Sequence, residues 1–143
     1  MITTELLFLM NIHKVQAVVS RKFDSLSTHG LGFNDFMILY ILYQSSGSRM
    51  RRIDLAEKTG LTASGITRLL NPLEKTGLVS REANERDARV SYVVMTDTGK
   101  RIFEEAVTTA EHITKGILPP SARQTKQLQT ASALLNELGG NLP

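Results

Sequence analysis

Short and hydrogen-bonding side chains are concentrated between residues 62 and 71. Hydroxyl, amide and guanidinium groups are interspersed there with alanine and glycine, so the stretch offers donors and acceptors while staying low in profile. On a helix, such side chains can reach base edges in the major groove of a duplex, where arginine can grip guanine. An ordinary solvated helix face is the alternative, although lysine and glutamate would be more usual there. The residues are Thr62, Ala63, Ser64, Gly65, Thr67, Arg68 and Asn71.

A polar and charged segment separates two strand-like runs that follow this stretch. The runs, Leu78–Glu82 and Val90–Met95, are rich in the residue types that favour strands. Their connection is longer than a two-residue turn, so it should project from the hairpin. A projecting tip that carries Arg86, Asp87 and Arg89 suits insertion into a minor groove, whose negative potential attracts arginine. A solvated loop of mixed charge is the alternative, and the sequence leaves open which of the two arginines would penetrate deepest.

Three more arginines stand close together just before the first helix of this region. Positive charge at a helix start opposes the helix macrodipole, and no compensating group is evident in the sequence. A local rule that is broken in this way often marks a functional position. We therefore expect some of Arg49, Arg51 and Arg52 to contact DNA phosphates, with plain solvation as the alternative.

The elements that must position these groups form a helix-turn-helix followed by a β-hairpin. A helix is predicted over Arg52–Thr59, with Ile53 among the residues of its apolar side. Gly60 can adopt the left-handed conformation that a sharp turn requires. Thr62 offers a hydroxyl that can cap the next helix. The apolar residues of that second helix recur at helical spacing, namely Ile66, Leu69, Leu70 and Leu73.

Long helical patterns flank the helix-turn-helix on both sides. A helix from Thr4 to about Leu26 is apolar on more than one side, and a second apolar helix starts after a cap at Asn34 or Asp35. Two further helices are predicted near the C-terminus, one capped by Thr96 or Asp97 and a last one that starts at Ser121. A short chain has limited means to surround such helices, so we expect the first and the last two to pair with a second copy across a two-fold axis.

The predicted fold class is therefore mainly α with a small β-hairpin wing. We assign residues 1–143 to a single domain, with a winged helix-turn-helix unit over about residues 32–99. Residues 1–30 and 100–143 form the helical dimerisation region of this scheme.

Composition narrows the classes of function. Residues 49–101 hold eleven basic and seven acidic groups, a net charge of +4, whereas the segments before and after carry 0 and −1. A basic unit between neutral flanks is typical of nucleic-acid binding. The chain has no cysteine, and its three histidines are scattered, so we expect no disulfide, metal, cofactor or enzymatic activity. No apolar run is long enough for a membrane span and no signal peptide is evident, so we expect a cytoplasmic protein.

Specific residues in this region resemble the MarR family of winged helix-turn-helix transcription regulators. The resemblance is carried by LTASGITRLLNPLEKTGLVSRE, ERDARV and MTDTGK, although Met95 stands where leucine is more usual. It implies a homodimer that binds pseudo-palindromic double-stranded DNA, often under the control of a small ligand. It also implies that the helix from Ala63 reads the major groove, that Arg89 enters the minor groove, and that Asp87 braces the wing by pairing with an arginine.

Two functions of different classes are compatible with the sequence. The first is a dimeric, sequence-specific DNA-binding regulator, and the family resemblance implies that it is a repressor. The second is a winged-helix protein-interaction module that does not bind DNA directly. A small aromatic acid could bind in a crevice between the first two helices and the winged unit, lined by His13, Phe36 and Tyr40, although such residues are more often plain core.

Overall fold

A computed structural model describes all residues, 1–143, and confirms the predicted fold class. Six α-helices and a three-stranded antiparallel sheet follow one another along the chain. None of the helices is long and apolar enough to cross a membrane. The elements are α1 (Thr4–Lys22), α2 (Phe33–Gln44), β1 (Arg49–Arg51), α3 (Arg52–Thr59), α4 (Ala63–Lys75), β2 (Val79–Ala83), β3 (Ser91–Met95), α5 (Asp97–Ile117) and α6 (Lys126–Glu137).

The core of the chain is built around α2. This helix begins after Gly32, whose N–H donates to the Asp35 carboxylate at 2.8 Å, so the predicted caps Asn34 and Asp35 lie inside the helix. Four of its residues are buried, and the core continues through the inner faces of α3, α4 and α5. The largest fully buried side chains are Leu26, Ile38, Leu39, Ile41, Leu42, Leu55 and Ile66.

The first and last helices contribute no buried residue to this core. The predicted first helix ends at Lys22, and a 3₁₀ turn over Phe23–His29 follows it with Phe23 and Leu26 buried. The last helix begins at Lys126 and not at Ser121, because a 3₁₀ turn and a positive φ of 52° at Gln124 come first. Both α1 and α6 keep most of their apolar side chains exposed within one chain.

The helix-turn-helix follows the predicted local chemistry closely. Gly60 ends α3 with a φ of +71°, and Leu61 then donates a backbone hydrogen bond to the Ala56 carbonyl at 3.0 Å. The Thr62 hydroxyl caps α4 as predicted. The assignment of Ile53 to the apolar side of α3 was wrong, because its side chain is 69% exposed at the start of that helix.

The wing is a three-stranded sheet of order β1–β3–β2, and not only the predicted hairpin. Residues 49–51 pair with residues 92–94 of β3, so two of the arginines expected before the helix lie in a strand. The predicted hairpin itself is present, with Val79 opposite Met95 and Ala83 opposite Ser91. The added strand joins the start of α3 to the wing, and this join positions the site.

A close backbone approach joins the base of the wing to α5. The Thr96 hydroxyl caps α5 by accepting from the Gly99 N–H at 3.0 Å, and it donates to the Gly77 carbonyl at 2.6 Å. The Thr96 N–H also donates to the Leu78 carbonyl at 3.1 Å. Gly99 packs so closely on Leu78 that a Cβ atom added there would lie 2.0 Å from this carbonyl oxygen.

Candidate nucleic-acid interface

The seven residues singled out between positions 62 and 71 lie on the outer side of α4 and at its N-terminus. Five of them are exposed, whereas Gly65 and Thr67 are half-buried. The buried side of the helix holds Ile66, Leu70 and Leu73, so the core fixes which face is presented. The Arg68 guanidinium forms no ion pair within the chain, and its donors are therefore available to another molecule.

The hydroxyls of two of these residues, Thr62 and Thr67, also form hydrogen bonds with the backbone of the chain. The Thr62 hydroxyl accepts from the Gly65 N–H at 3.0 Å, and a Cβ atom on Gly65 would lie only 3.0 Å from that hydroxyl. The small size of Gly65 is thus explained by the cap. The Thr67 hydroxyl donates to the Ala63 carbonyl at 3.0 Å, so it can offer a ligand only its lone pairs.

The wing holds the amide of Asn71 in one orientation. Arg81, on β2, donates through Nε to Glu74 at 2.9 Å and through Nη2 to the Asn71 Oδ1 atom at 3.3 Å. Because this bond engages the amide oxygen, the amide NH₂ is left to donate to another molecule. The sequence did not single out Arg81, since its contact with α4 depends on how the hairpin packs and not on a local motif.

The wing tip is ordered by its own side chains. The Arg89 side chain donates to both carboxylate oxygens of Asp87, at 3.1 and 3.3 Å, and remains 91% exposed. These bonds, with that from the Arg89 N–H at 3.0 Å, lower the pKa of the Asp87 carboxyl below its ordinary value. The pairing implied by the family resemblance is present here. Arg86 is also exposed but forms no ion pair, so the two arginines differ in how firmly they are held.

A polar network where the tip joins strands β2 and β3 supports the tip. The Asn84 side chain accepts from the Arg86 and Asp87 N–H groups at 2.8 and 3.3 Å, and it donates to the Tyr92 hydroxyl at 3.3 Å. The Arg49 guanidinium lies 4.6 Å from the centre of the Tyr92 ring. Sequence reasoning missed both Asn84 and Tyr92, although asparagine at the start of a polar connection is a recognised turn signal.

The three arginines before α3 have different surroundings. Arg49 pairs with Glu82 at 2.7 Å, and Arg51 pairs with Asp54 at 2.9 Å. The hydrogen bonds that Arg51 donates to the Asp54 carboxylate, with the negative charge of that carboxylate, raise the pKa of the Arg51 guanidinium above its ordinary value. The premise that all three charges stand uncompensated was therefore wrong for Arg49 and Arg51. Arg52 forms no ion pair.

Arg52 links the outer face of α4 to the wing tip. It lines one depression together with Thr67, Asn71 and residues of the wing strands, and a second one together with Arg89. The polar face of α4, the start of α3 and the wing therefore form one continuous surface. This surface carries Arg52 and Arg89, which suits contact with phosphates as well as base edges.

The cleft that contains two of the predicted ligand-binding residues is formed by different elements from those predicted. Phe36 and Tyr40 do line a cleft, but it lies between α2 and α5, where Phe103 completes the aromatic wall. His13 was wrongly assigned to this lining, because it lies on an exposed part of α1 and contributes nothing to the cleft.

Comparison with known proteins identifies the family. The model of the MarR family matches residues 33–91. The HTH-type transcriptional regulator YwaE of Bacillus subtilis, itself uncharacterised, is 30% identical over 125 residues, which span 87% of this chain and 70% of YwaE. This chain belongs to the MarR family. The HTH-type transcriptional repressor YetL of the same organism is 30% identical over 92 residues, which span 61% of this chain and 55% of YetL.

Solved structures of MarR-family regulators share the fold. Sco3205, a MarR family transcriptional regulator from Streptomyces coelicolor whose crystal structure is in complex with DNA, superposes with a TM-score of 0.80 at 20% identity. The superposition covers 96% of this chain and 87% of Sco3205. As a MarR-family protein, the chain is a DNA-binding transcription regulator, and its relatives are described as regulators and not as enzymes.

Proposed function

We propose that this MarR-family protein is a homodimeric repressor that acts in the cytoplasm and binds a pseudo-palindromic operator. Residues of about 32–99 form the DNA-binding unit of this proposal, and residues 1–30 and 100–143 form the dimerisation region. The observation that carries it is the continuous surface that runs from α4 through Arg52 to Arg89. An exposed helix face followed by an arginine-bearing tip suits a helix in the major groove with the tip in the adjacent minor groove.

In this arrangement α4 reads bases in the major groove. Arg68 is exposed and unpaired, so it can donate a bidentate pair of hydrogen bonds to guanine. Ser64 and Thr62 are exposed at the N-terminal end of the helix, where short side chains allow a close approach. Asn71 offers an amide NH₂ that Arg81 holds in place.

The wing arginine that enters the minor groove is Arg89 in this proposal. Asp87 restrains its side chain, so less conformational entropy is lost when it binds than for the unpaired Arg86. Arg86 then contacts the phosphate backbone at the rim. Among the three arginines before α3, Arg52 contacts phosphate, because it is the one that lines both depressions of this surface.

Dimerisation is supported by the apolar surface of α1 and α6. Phe8, Leu9, Leu134 and Leu138 line an open groove between the two helices. Leu6, Leu7, Met10 and Leu135 add to the same exposed apolar surface, each at least 45% exposed. Contiguous apolar surface of this kind usually marks an interface, and a second copy related by a two-fold axis is the commonest partner. Such a dimer would place two α4 helices about one DNA turn apart or a multiple of it.

Repression and release are the regulatory part of the proposal. The relative YetL is described as a repressor, and a dimer seated on a duplex site would hinder other proteins from using it. The cleft between α2 and α5 could admit a small molecule. Because α5 leads from the wing towards the dimerisation region, a ligand wedged against it could change the spacing of the two α4 helices.

Selection from a random duplex pool tests the DNA-binding proposal. Purified protein should retain a two-fold symmetric motif at physiological salt, and Arg89→Ala should lose about 1–3 kcal/mol on the selected site. Arg21→Ala, which removes an exposed arginine of α1, is the matched control and should bind normally. Sedimentation at micromolar concentration should show a dimer. Retention without a symmetric motif, or a monomer in sedimentation, would contradict the proposal.

One observation favours the alternative of a protein-interaction module. Ile53 is 69% exposed on the same surface, beside Arg51 and Arg52, and an isolated apolar side chain there would suit a protein partner. If no duplex is retained, this surface should instead be tested for protein binding, with Ile53→Ser as the variant. Loss of a captured partner in Ile53→Ser, with the fold intact, would support the alternative.

A further inference from the structure

The cleft between α2 and α5 has an unusual combination of linings. It encloses about 420 Å³ and is walled by the rings of Phe36, Tyr40, Tyr43 and Phe103. Its polar lining consists of Gln44 and the two carboxylates of Glu104 and Glu111, and it includes no lysine, arginine or histidine. The chemistry of this lining bears directly on the kind of molecule that could enter.

The aromatic wall is arranged around Phe103. The centre of its ring lies 5.1 Å from those of Phe36 and Tyr43, and 6.4 Å from that of Tyr40, with the ring planes tilted by 34–41°. Only Phe103 is buried, whereas the other three rings remain partly or largely exposed. Aromatic faces carry negative charge density, so they attract cations as well as apolar surface.

Both charged residues that line the cleft are glutamates, so their charge has the same sign as the charge density on the faces of the aromatic rings. The Tyr43 hydroxyl donates to the Glu104 carboxylate at 3.2 Å, which places this carboxylate at the edge of the wall. Neither Glu104 nor Glu111 takes part in an ion pair. Lys100 lies outside the lining, with its ammonium group 5.9 Å from the centre of the Tyr43 ring. An entering anion would meet two unpaired carboxylates of like charge, whereas a cation would meet two partners.

We propose that the cleft between α2 and α5 binds a small aromatic or apolar cation, such as a quaternary ammonium compound. The cation would lie against the aromatic wall and between Glu104 and Glu111. This assignment reverses the charge of the aromatic acid expected from the sequence, because the composition of the lining was not visible there. The regulatory half of the inference, a change of DNA affinity, rests on the proposed function, whereas the binding half does not.

Three probes of similar size and different charge test the binding half on DNA-free protein. They are benzyltrimethylammonium, benzyl alcohol and phenylacetate. The chain has three tyrosines, of which Tyr40 and Tyr43 line the cleft and Tyr92 lies in the wing sheet. Ring resonances of the first two should shift in NMR titrations with benzyltrimethylammonium, with a Kd on the order of 1 mM for so small a ligand. Tyr92 should not respond.

A charge-matched set of variants locates the site. Glu104→Gln combined with Glu111→Gln should weaken binding of benzyltrimethylammonium about fivefold or more, since both carboxylates that attract the cation become neutral while the aromatic wall is unchanged. Glu105→Gln is the control, because Glu105 lies on the same helix but pairs with Arg101 away from the lining. It should bind the cation as the wild type does.

Each outcome bears on one half of the inference. Phenylacetate binding as tightly as the cation, or equal weakening in Glu105→Gln, would overturn the assigned charge. No shift of Tyr40 or Tyr43 with any probe would overturn the site itself. If the cation binds but leaves affinity for the selected operator unchanged, the regulatory half is wrong. Failure of the duplex selection would contradict the proposed function while leaving the NMR result intact, so the two failures are distinguishable.

Discussion

Replacing Gly99 by alanine should destabilise the protein far more than an ordinary glycine substitution in a helix. The added Cβ atom would lie 2.0 Å from the Leu78 carbonyl oxygen, 2.9 Å from its carbonyl carbon and 3.2 Å from its Cα atom. All three are backbone atoms, so no flexible side chain can move aside. Because non-bonded heavy atoms prefer about 3.5–4.0 Å, the start of α5 must move away from the wing by more than about 1 Å.

That movement would also break hydrogen bonds at the junction. The Leu78 carbonyl accepts from both the N–H and the hydroxyl of Thr96, each at 3.1 Å. Overpacking typically costs about 1–3 kcal/mol, and each weakened hydrogen bond adds about 1 kcal/mol. We therefore expect Gly99→Ala to lower the free energy of unfolding by about 3–5 kcal/mol, a large part of the stability of a typical domain.

Gly116 provides a matched control near the other end of the same helix. No atom lies within 4 Å of the position where its Cβ would be, so alanine there should stabilise the helix by up to about 1 kcal/mol. Urea titrations followed by circular dichroism would measure both variants. The steric reasoning would be refuted if Gly99→Ala unfolded within about 0.5 kcal/mol of the wild type, or if Gly116→Ala lost as much stability.

Variants at three further positions test other parts of the structure. Thr62→Ala should cost about 1 kcal/mol in urea titrations by removing the cap of α4, and Thr62→Ser should restore most of it; equal stability of the two would contradict the cap. Arg81→Lys keeps the positive charge but not the guanidinium group that holds Asn71. Binding to the selected operator should therefore weaken about threefold, while the dependence of binding on salt concentration stays unchanged. An equal loss of affinity for random DNA would refute a role in specificity. Burial raises the pKa of Asp35 above its ordinary value of 3.8, so folding favours the protonated carboxyl over the ionised one. The stability linked to this group is therefore present at low pH and is lost as the pH rises through the folded pKa. Thermal unfolding should therefore show Asp35→Asn gaining stability relative to the wild type as the pH rises above 3.8, and the opposite trend would contradict this sign.

Features governed by local chemistry were predictable from the sequence. The turn at Gly60 and the caps of α4 and α5 depend on neighbours within a few residues, so the turn and the Thr62 cap could be placed from the sequence and the cap of α5 could be narrowed to Thr96 or Asp97. The family motif implied that Asp87 pairs with a nearby arginine, and the partner, Arg89, lies only two residues away. The same locality explains why the bounds of α3 and the hairpin were nearly correct.

Features that depend on distant parts of the chain were not predictable. Strand β1 has only three residues and becomes a strand by pairing with residues more than 40 positions later. Helical periodicity placed Ile53 and His13 on helices, but it could not show whether their side chains would be buried or exposed once the helices pack. The contact of Arg81 with α4 and the carboxylates of the cleft likewise arise only when separate elements meet.

The absence of buried residues in α1 makes the order of this helix a matter of protein concentration. An isolated helix of its length is only marginally stable in water, and a single chain gives it little packing. In the proposed dimer, most of its stability is supplied by the partner, so the melting temperature should rise as the protein is concentrated. Below the dimer dissociation constant, α1 and α6, neither of which has a buried residue, become the helices most open to proteases. Dilution would then allow proteases to cut the first helix while the winged unit is still folded. A cell could in this way degrade protomers that lack a partner without an additional signal.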